Sequence, residues 1–447
     1  MAARLIIACL AGMASLPACA LDLKGAWELL QTQAPNYLAA QHERDAGLEN
    51  RAIGRAGLLP LISASASRSH INGTREQDNA IGRRAETDLN YNSDFAGVRL
   101  RQPLINLQKL TEYREGQQKA KLSEAVFDAK TQQLAVTLSG RYFDVLLTRE
   151  TIDLATAKLK AFEQQVAAAQ RRFDLGDGAI TDVDQAVARR DLAQAELIEA
   201  KDNHVIALRL LQEILGGVPE NIAALRQDFP TPPLQPATLP EWLTQTLANN
   251  PTVRARQLKR GLSEEDINLA KSGHWPTLDL VLGYTDSESD TVATLNQKNR
   301  YSSAGLEFNL PLFAGGGTSA RVRQAIASHE QASEELNAAR EEAVSATTRE
   351  YRGVQNGEKR IRALEKAVVS NERAQDSARK GFLAGSSTNL DILNAEEQIF
   401  TARRDLLEAK LRYLLARLQL AVAVGMLGDD DIEQANAYLG PQLAIAP

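Results

Sequence analysis

Cysteine is nearly absent from this chain of 447 residues: Cys9 and Cys19 are the only two, both within the first twenty positions. Aromatic residues make up 5% and histidines number five. Past residue 20, no stretch approaches the roughly 18 uninterrupted apolar residues of a membrane-crossing helix. Charge of one sign is also missing, since 51 basic and 57 acidic residues are interspersed to a net -6. Each lack excludes something. Few large core residues argue against a compact globule and for alanine-rich helices, and the balanced charge gives no footprint for nucleic acid. His42, His70, His204, His274 and His329 are scattered without the i, i+4 pairing of a helical metal site and read as solvated.

The opening MAARLIIACLAGMASLPACA carries one basic residue, Arg4, an apolar core and Ala18-Cys19-Ala20. It reads as a secretory signal over residues 1–20 with an A-x-A cleavage site. Leu16-Pro17-Ala18-Cys19 is alternatively an imperfect lipobox that would retain a lipidated Cys19. Plain cleavage leaves no thiol in a chain bound for an oxidising compartment. A membrane segment in the mature chain would therefore have to be strand.

The mature sequence is used twice. RRFDLGDGAITDVDQA (171–186) returns as KGFLAGSSTNLDILNA (380–395), with Phe173, Gly176, Asp182 and Ala186 answered by Phe382, Gly385, Asp391 and Ala395, all 209 positions on. Pro35, Gly57 and Pro60 recur as Pro251, Gly273 and Pro276, and AGVRLRQPL (96–104) as AGLEFNLPL (304–312). The predicted repeats span 21–229 and 241–428, separated by the proline-rich linker 230–240 and followed by a tail, 429–447.

Within each repeat the hydrophobic period changes. Alternation predicts strands near 61–71, 91–102, 277–286 and 301–310. A half-buried soluble sheet has the same pattern, but secretion and the lack of another core favour an outer-membrane barrel. Leu138, Val145, Ile152, Leu159, Val166 and Phe173 fall every seventh residue; 209 positions on, Val354, Ile361, Val368, Gln375 and Phe382 repeat the seam with one polar substitution. This is a coiled-coil pattern, predicting long helices over 106–173 and 316–382, each on the order of 100 Å. Returning helices over 181–215 and 390–424 carry alanine at heptad spacing: Ala186, Ala193, Ala200 and Ala207, then Ala395, Ala402, Ala409, Ala416 and Ala423. Such spacing favours close helix packing. Gly176 and Gly178, and Gly385, mark the intervening tip turns.

Four strands cannot close a barrel, and open edges in lipid are forbidden, so copies must join: two give eight strands and three give twelve. The chain has no G-x-S-x-G, and Gly315-Gly316-Gly317 lacks the lysine of a phosphate loop, reading instead as a strand-to-helix turn. No catalysis, cofactor or resident metal is expected. Asp182 and Asp391 open the returning helices, where a carboxylate can serve the helix dipole or, ringed about an axis, constrict a pore and select cations. Both readings stand.

The duplication, the R-R-F-x-x-G-x-x-A-I-T-D-V turn (171–183) and the L-P-L-F junction (310–313) resemble the TolC family of outer-membrane channels. ERDAGLENRAIGRAGLLP (43–60) resembles the members serving type I secretion of proteases and lipases. The resemblance implies an α+β membrane protein: a homotrimer with a 12-stranded β-barrel, four strands per chain, in outer-membrane lipid, continued by a long periplasmic α-helical coiled-coil barrel. It implies a passive exit duct for protein cargo that docks a periplasmic adaptor, or membrane fusion protein, and an inner-membrane ABC transporter, with the tip turns available for adaptor docking. It places Asp391 at a gate aspartate and Asp182 at its partner carboxylate. Asn394 stands for a second gate aspartate, Phe382 for a tyrosine and Ser387 for an arginine, which implies a tip closed less by ionic links. A multidrug efflux channel and a soluble periplasmic coiled-coil adaptor are the alternative functions.

Overall fold

The computed structural model describes residues 21–78, 81–217, 221–226, 228–289 and 297–444. The expected signal segment, with Cys9 and Cys19, lies outside the described residues.

Three helices, α1 (Leu23–Gln33), α2 (Pro35–Leu48) and α3 (Asn50–Ala56), lead into strands β1 (Leu61–Asp78) and β2 (Arg84–Ile105), a 68-residue helix α4 (Leu107–Asp174) and a returning helix α5 (Ile180–Leu215). After a short strand β3 (Asn221–Leu225) comes a similar order: α6 (Leu239–Asn249), α7 (Pro251–Ser272), β4 (Thr277–Ser289), β5 (Gln297–Asn309), the 67-residue α8 (Gly317–Leu383) and α9 (Asn389–Val424). Helix α10 (Asp429–Asn436) and strand β6 (Leu439–Ala444) follow. Two compact units emerge. One contains Glu43–Val126 and Arg254–Ala339; the other contains the described parts of Met1–His42, Phe127–Val253 and Arg340–Pro447.

The first unit holds an antiparallel sheet ordered β1-β2-β4-β5, so β1 and β5 each have one neighbour and one open edge in the chain. Its pleat separates two kinds of face. Ile62, Ala64 and Ala66 lie opposite Leu100, Val98 and Ala96; Leu100 and Val98 lie opposite Leu282 and Tyr284; Leu280 and Leu278 lie opposite Leu306 and Phe308. These apolar residues share one face, and among the described residues no helix covers them: Ile62, Leu306 and Phe308 are each about two-thirds exposed. Further along the same face, polarity takes over with ion pairs Arg68–Asp94 (3.3 Å) and Arg300–Asp286 (2.8 Å). The opposite face carries Ser63, Ser65, Ser67, Arg99, Arg101, Thr285 and Ser303. There the nearly buried Asp279 carboxylate accepts from Arg101 Nε at 2.8 Å. An apolar face left bare beside a polar one is the pattern of a barrel strand set between lipid and a wet lumen.

The strands run past the residues whose alternation marks them, because beyond the apolar band both faces are polar and periodicity disappears. Gly315 and Gly316, at φ +61° and +78°, take left-handed backbone that glycine adopts without a Cβ clash. They turn the chain from β5 into α8.

The second unit contains the main hydrophobic core. Leu23, Leu30, Leu138, Tyr142, Leu146, Leu211, Ile222, Tyr413, Leu414 and Leu420 are buried together. The Tyr142 hydroxyl donates to the Leu21 carbonyl at 3.0 Å and accepts from the Ala223 N–H at 3.1 Å, tying α4 to β3, and burial pushes the phenol well above its ordinary pKa.

Three expectations need correction. The 429–447 segment is not merely a tail: α10 packs on this core through Ile432 and Ala435, and β6 pairs with β3. The 230–240 linker ends sooner than expected and is tied down. Its Pro236 and Ala237 carbonyls accept from Trp242 Nε1 and the Tyr351 hydroxyl, both at 2.7 Å, and Leu239 already begins α6. His204 is buried rather than solvated, because it faces α4 and meets the Thr148 hydroxyl at 3.0 Å. Among the described residues no helix is long and apolar enough to cross a membrane.

Candidate functional site

Each long helix and its returning helix form a hairpin. Both turns use a glycine with positive φ, Gly176 at +80° and Gly385 at +76°. Gly178 is required differently: a Cβ there would lie 3.1 Å from the Phe173 nitrogen.

The two returning helices start unlike each other. In the second hairpin, Thr388 and Asp391 form a capping box: Asp391 Oδ2 accepts from the Thr388 N–H at 2.7 Å and its hydroxyl at 2.8 Å, and the Thr388 oxygen accepts from the Asp391 N–H at 3.2 Å. The backbone N–H, then the hydroxyl, holds the Asp391 carboxyl below its ordinary value. In the first hairpin the corresponding cap position is Ala179, which makes no side-chain cap. Asp182 lies in that first turn, half-buried. Among the described residues its carbonyl, not its carboxylate, receives a bond, from Asn389 Nδ2 at 3.3 Å.

Polar side chains join the hairpins. The Arg172 guanidinium lies 4.2 Å from the centre of the Phe382 ring, and its Nη2 donates to Asn389 Oδ1 at 3.4 Å. Arg189 Nη2 donates to Asn394 Oδ1 at 2.9 Å. Gln165 Nε2 donates to Glu396 Oε1 at 3.0 Å. Lys158, nearly buried, reaches Glu196 at 2.6 Å and Glu397 at 2.7 Å.

The residues singled out from sequence are thus distributed over different tasks. Phe382 and Asn394 take part in contacts between hairpins, and Asp391 closes its own helix cap. Ser387 stays within its turn, its N–H donating to the Gly381 carbonyl at 3.2 Å. Of the alanines, Ala186, Ala193, Ala200 and Ala207, and Ala402, Ala409, Ala416 and Ala423, are buried, whereas Ala395 is half-buried.

Lys158, Gln165, Arg172, Arg189, Asn389 and Glu396 escaped sequence reasoning, although a signal existed. Lys158, Gln165 and Arg172 are seven apart and each precedes a seam residue by one. Asp182, Arg189 and Glu196 form a second such column, and Asn389 and Glu396 a third. Polar columns flanking an apolar seam are where coiled coils choose partners and register.

Amphipathic strands with open edges, an uncovered apolar face and long paired helices define a subunit of an outer-membrane channel. The chain belongs to the outer membrane efflux protein family, whose description matches residues 27–217 and 242–426. It is similar to the alkaline protease secretion protein AprF of Pseudomonas aeruginosa, 33% identical over 420 residues, covering 94% of this chain and 87% of that one. It is also similar to the proteases secretion protein PrtF of Dickeya chrysanthemi, 32% identical over 424 residues, 94% and 91% of the two chains. Among solved structures, the outer membrane protein VceC of Vibrio cholerae shares the fold with a TM-score of 0.77 at 18% identity, over 90% of this chain and 96% of that one. The protein is an outer-membrane channel of the efflux and secretion type, and it resides in the outer membrane and extends into the periplasm.

Proposed function

We propose that three copies close one barrel, β5 of each pairing with β1 of the next to give twelve strands, with the duplicated hairpins assembled as a periplasmic helical barrel. The carrying observation is the sheet itself: two open edges and an apolar face with no cover. In lipid each unmet backbone group costs several kcal/mol, so a single copy cannot stay open.

The assembled channel is a passive exit duct of a type I secretion system. A periplasmic adaptor docks at the tip turns around Gly176, Gly178 and Gly385, and an inner-membrane ABC transporter delivers protease- or lipase-like cargo and spends the ATP. Similarity to two protease secretion proteins over nearly the whole chain supports this cargo class. Asp182, Phe382, Ser387, Asp391 and Asn394 line the tip gate. With Asn394 and Ser387 at two of these positions, the gate has fewer charged links and weaker block by divalent cations. Asp391→Ala further weakens that block in single-channel recordings; a strongly blocked pore indifferent to the substitution contradicts the gate assignment.

Deletion of the gene, followed by comparison of secreted proteins and drug susceptibility, tests the pathway. Loss of extracellular protease or lipase with unchanged drug susceptibility is expected. Drug hypersensitivity with normal secretion would instead assign the duct to efflux.

A further inference from the structure

Glu396 on α9 is 2% exposed, and two other helices converge on it. Its Oε1 accepts from Gln165 Nε2 of α4 at 3.0 Å and from Gln375 Nε2 of α8 at 3.3 Å. Its Oε2 is buried and has no partner among the described residues. Two amide donors on Oε1 suit the carbonyl oxygen of a neutral acid, which leaves one uncharged hydroxyl at Oε2 unpaired. An ionised carboxylate spreads its charge over both oxygens and would leave one of them buried without a donor, which is costly.

Gln375 is the polar interruption of the second hairpin's apolar seam, and its bond to Glu396 gives that interruption a purpose. Polar residues at seam positions cost stability and set register. The surrounding charges are accounted for. Arg379 on α8 is the cation whose field favours ionisation of Glu396. On α4, Lys158 is held by Glu196 and Glu397, and Arg172 lies on Phe382. On α5, Arg189 meets Asn394 and, at 3.9 Å, Glu397. Burial outweighs the two amides and Arg379 and pushes the Glu396 carboxyl above its ordinary value.

We propose that Glu396 is a proton-dependent latch, a neutral carboxyl that holds the two hairpins docked and whose ionisation in water favours their separation. The docked state binds the proton more tightly than the separated state. Docking is therefore strongest at low pH and weakens as the pH rises from the ordinary carboxylate value through the raised one, above which the loss is complete. Docking itself does not depend on the exit-duct reading; only its consequence for conduction does.

Hydrogen exchange of the full chain in detergent, corrected for intrinsic chemical rates, reads the latch over residues 160–175 and 389–400. Protection in the wild type is expected to fall roughly twofold or more between about pH 4 and about pH 8. Glu396→Gln, permanently neutral, keeps the acidic level of protection at both. Should that variant fail to fold, the exposed Arg379→Gln serves: loss of the cation moves the midpoint to higher pH. A wild-type pH dependence retained by Glu396→Gln, a flat wild type, or an unmoved midpoint in Arg379→Gln overturns the proposal. In planar bilayers, open probability rises with pH in the wild type and not in Glu396→Gln. A chain that forms no channel contradicts the exit duct, while the exchange result still decides the latch.

Discussion

The two hairpins share a sequence pattern and differ in how they are finished. The second is capped internally: Thr388 and Asp391 satisfy each other, and the Asp391 carboxylate is engaged within its own turn. The first leaves its cap position to Ala179, and no bond engages the Asp182 carboxylate among the described residues. Yet it is α4 of the first hairpin that supplies Lys158, Gln165 and Arg172 to reach α9. One copy of a duplicated unit has thus kept a self-contained end, and the other has become the arm that grips it. Duplication lets one geometry serve two roles when only the flanking columns diverge.

The largest expected effect separates equivalent positions. Ala186 is fully buried, whereas its counterpart Ala395 is half-buried. Ala186→Leu should overpack the first hairpin and destabilise it by about 1–3 kcal/mol. Ala395→Leu should cost less in the same thermal unfolding measurement, and equal losses would erase the contrast. Next, Arg172→Ala removes the guanidinium from the Phe382 ring and from Asn389, a loss of about 1 kcal/mol. In bilayer recordings this should raise the open probability several-fold, while Arg171→Ala, whose Nε bonds within α4, should change little. The smallest effect restores the missing cap. Ala179→Thr recreates the Thr-x-x-Asp spacing at Asp182 and should stabilise the start of α5 by roughly 0.5–1 kcal/mol. Slower exchange of the 180–184 amides would register it.

The long helices were legible because heptad spacing persists over many turns. Residues 106–173 and 316–382 anticipate α4 and α8 to within one residue at each end. The strands were legible only where one face is apolar: Asn72–Asp78 and Arg84–Asn90 continue the ladder beyond the alternating stretches. The β3–β6 pair, five and six residues long, offers no period to detect, and its strands are separated by more than two hundred residues. In the candidate site, the turn glycines and the aspartates stand out by repetition. The gripping residues do not, because Lys158, Gln165 and Glu396 pass individually for solvated helix surface. Only their shared seven-residue spacing, read beside the seam, distinguishes them.

The most direct test of the central claim is the mass of the detergent-solubilised chain, measured by light scattering with the detergent contribution subtracted. A protein mass of three chains is predicted, since only joined copies pair the open edges of β1 and β5 and cover the bare apolar face. A single chain that remains soluble and monodisperse without detergent would contradict it.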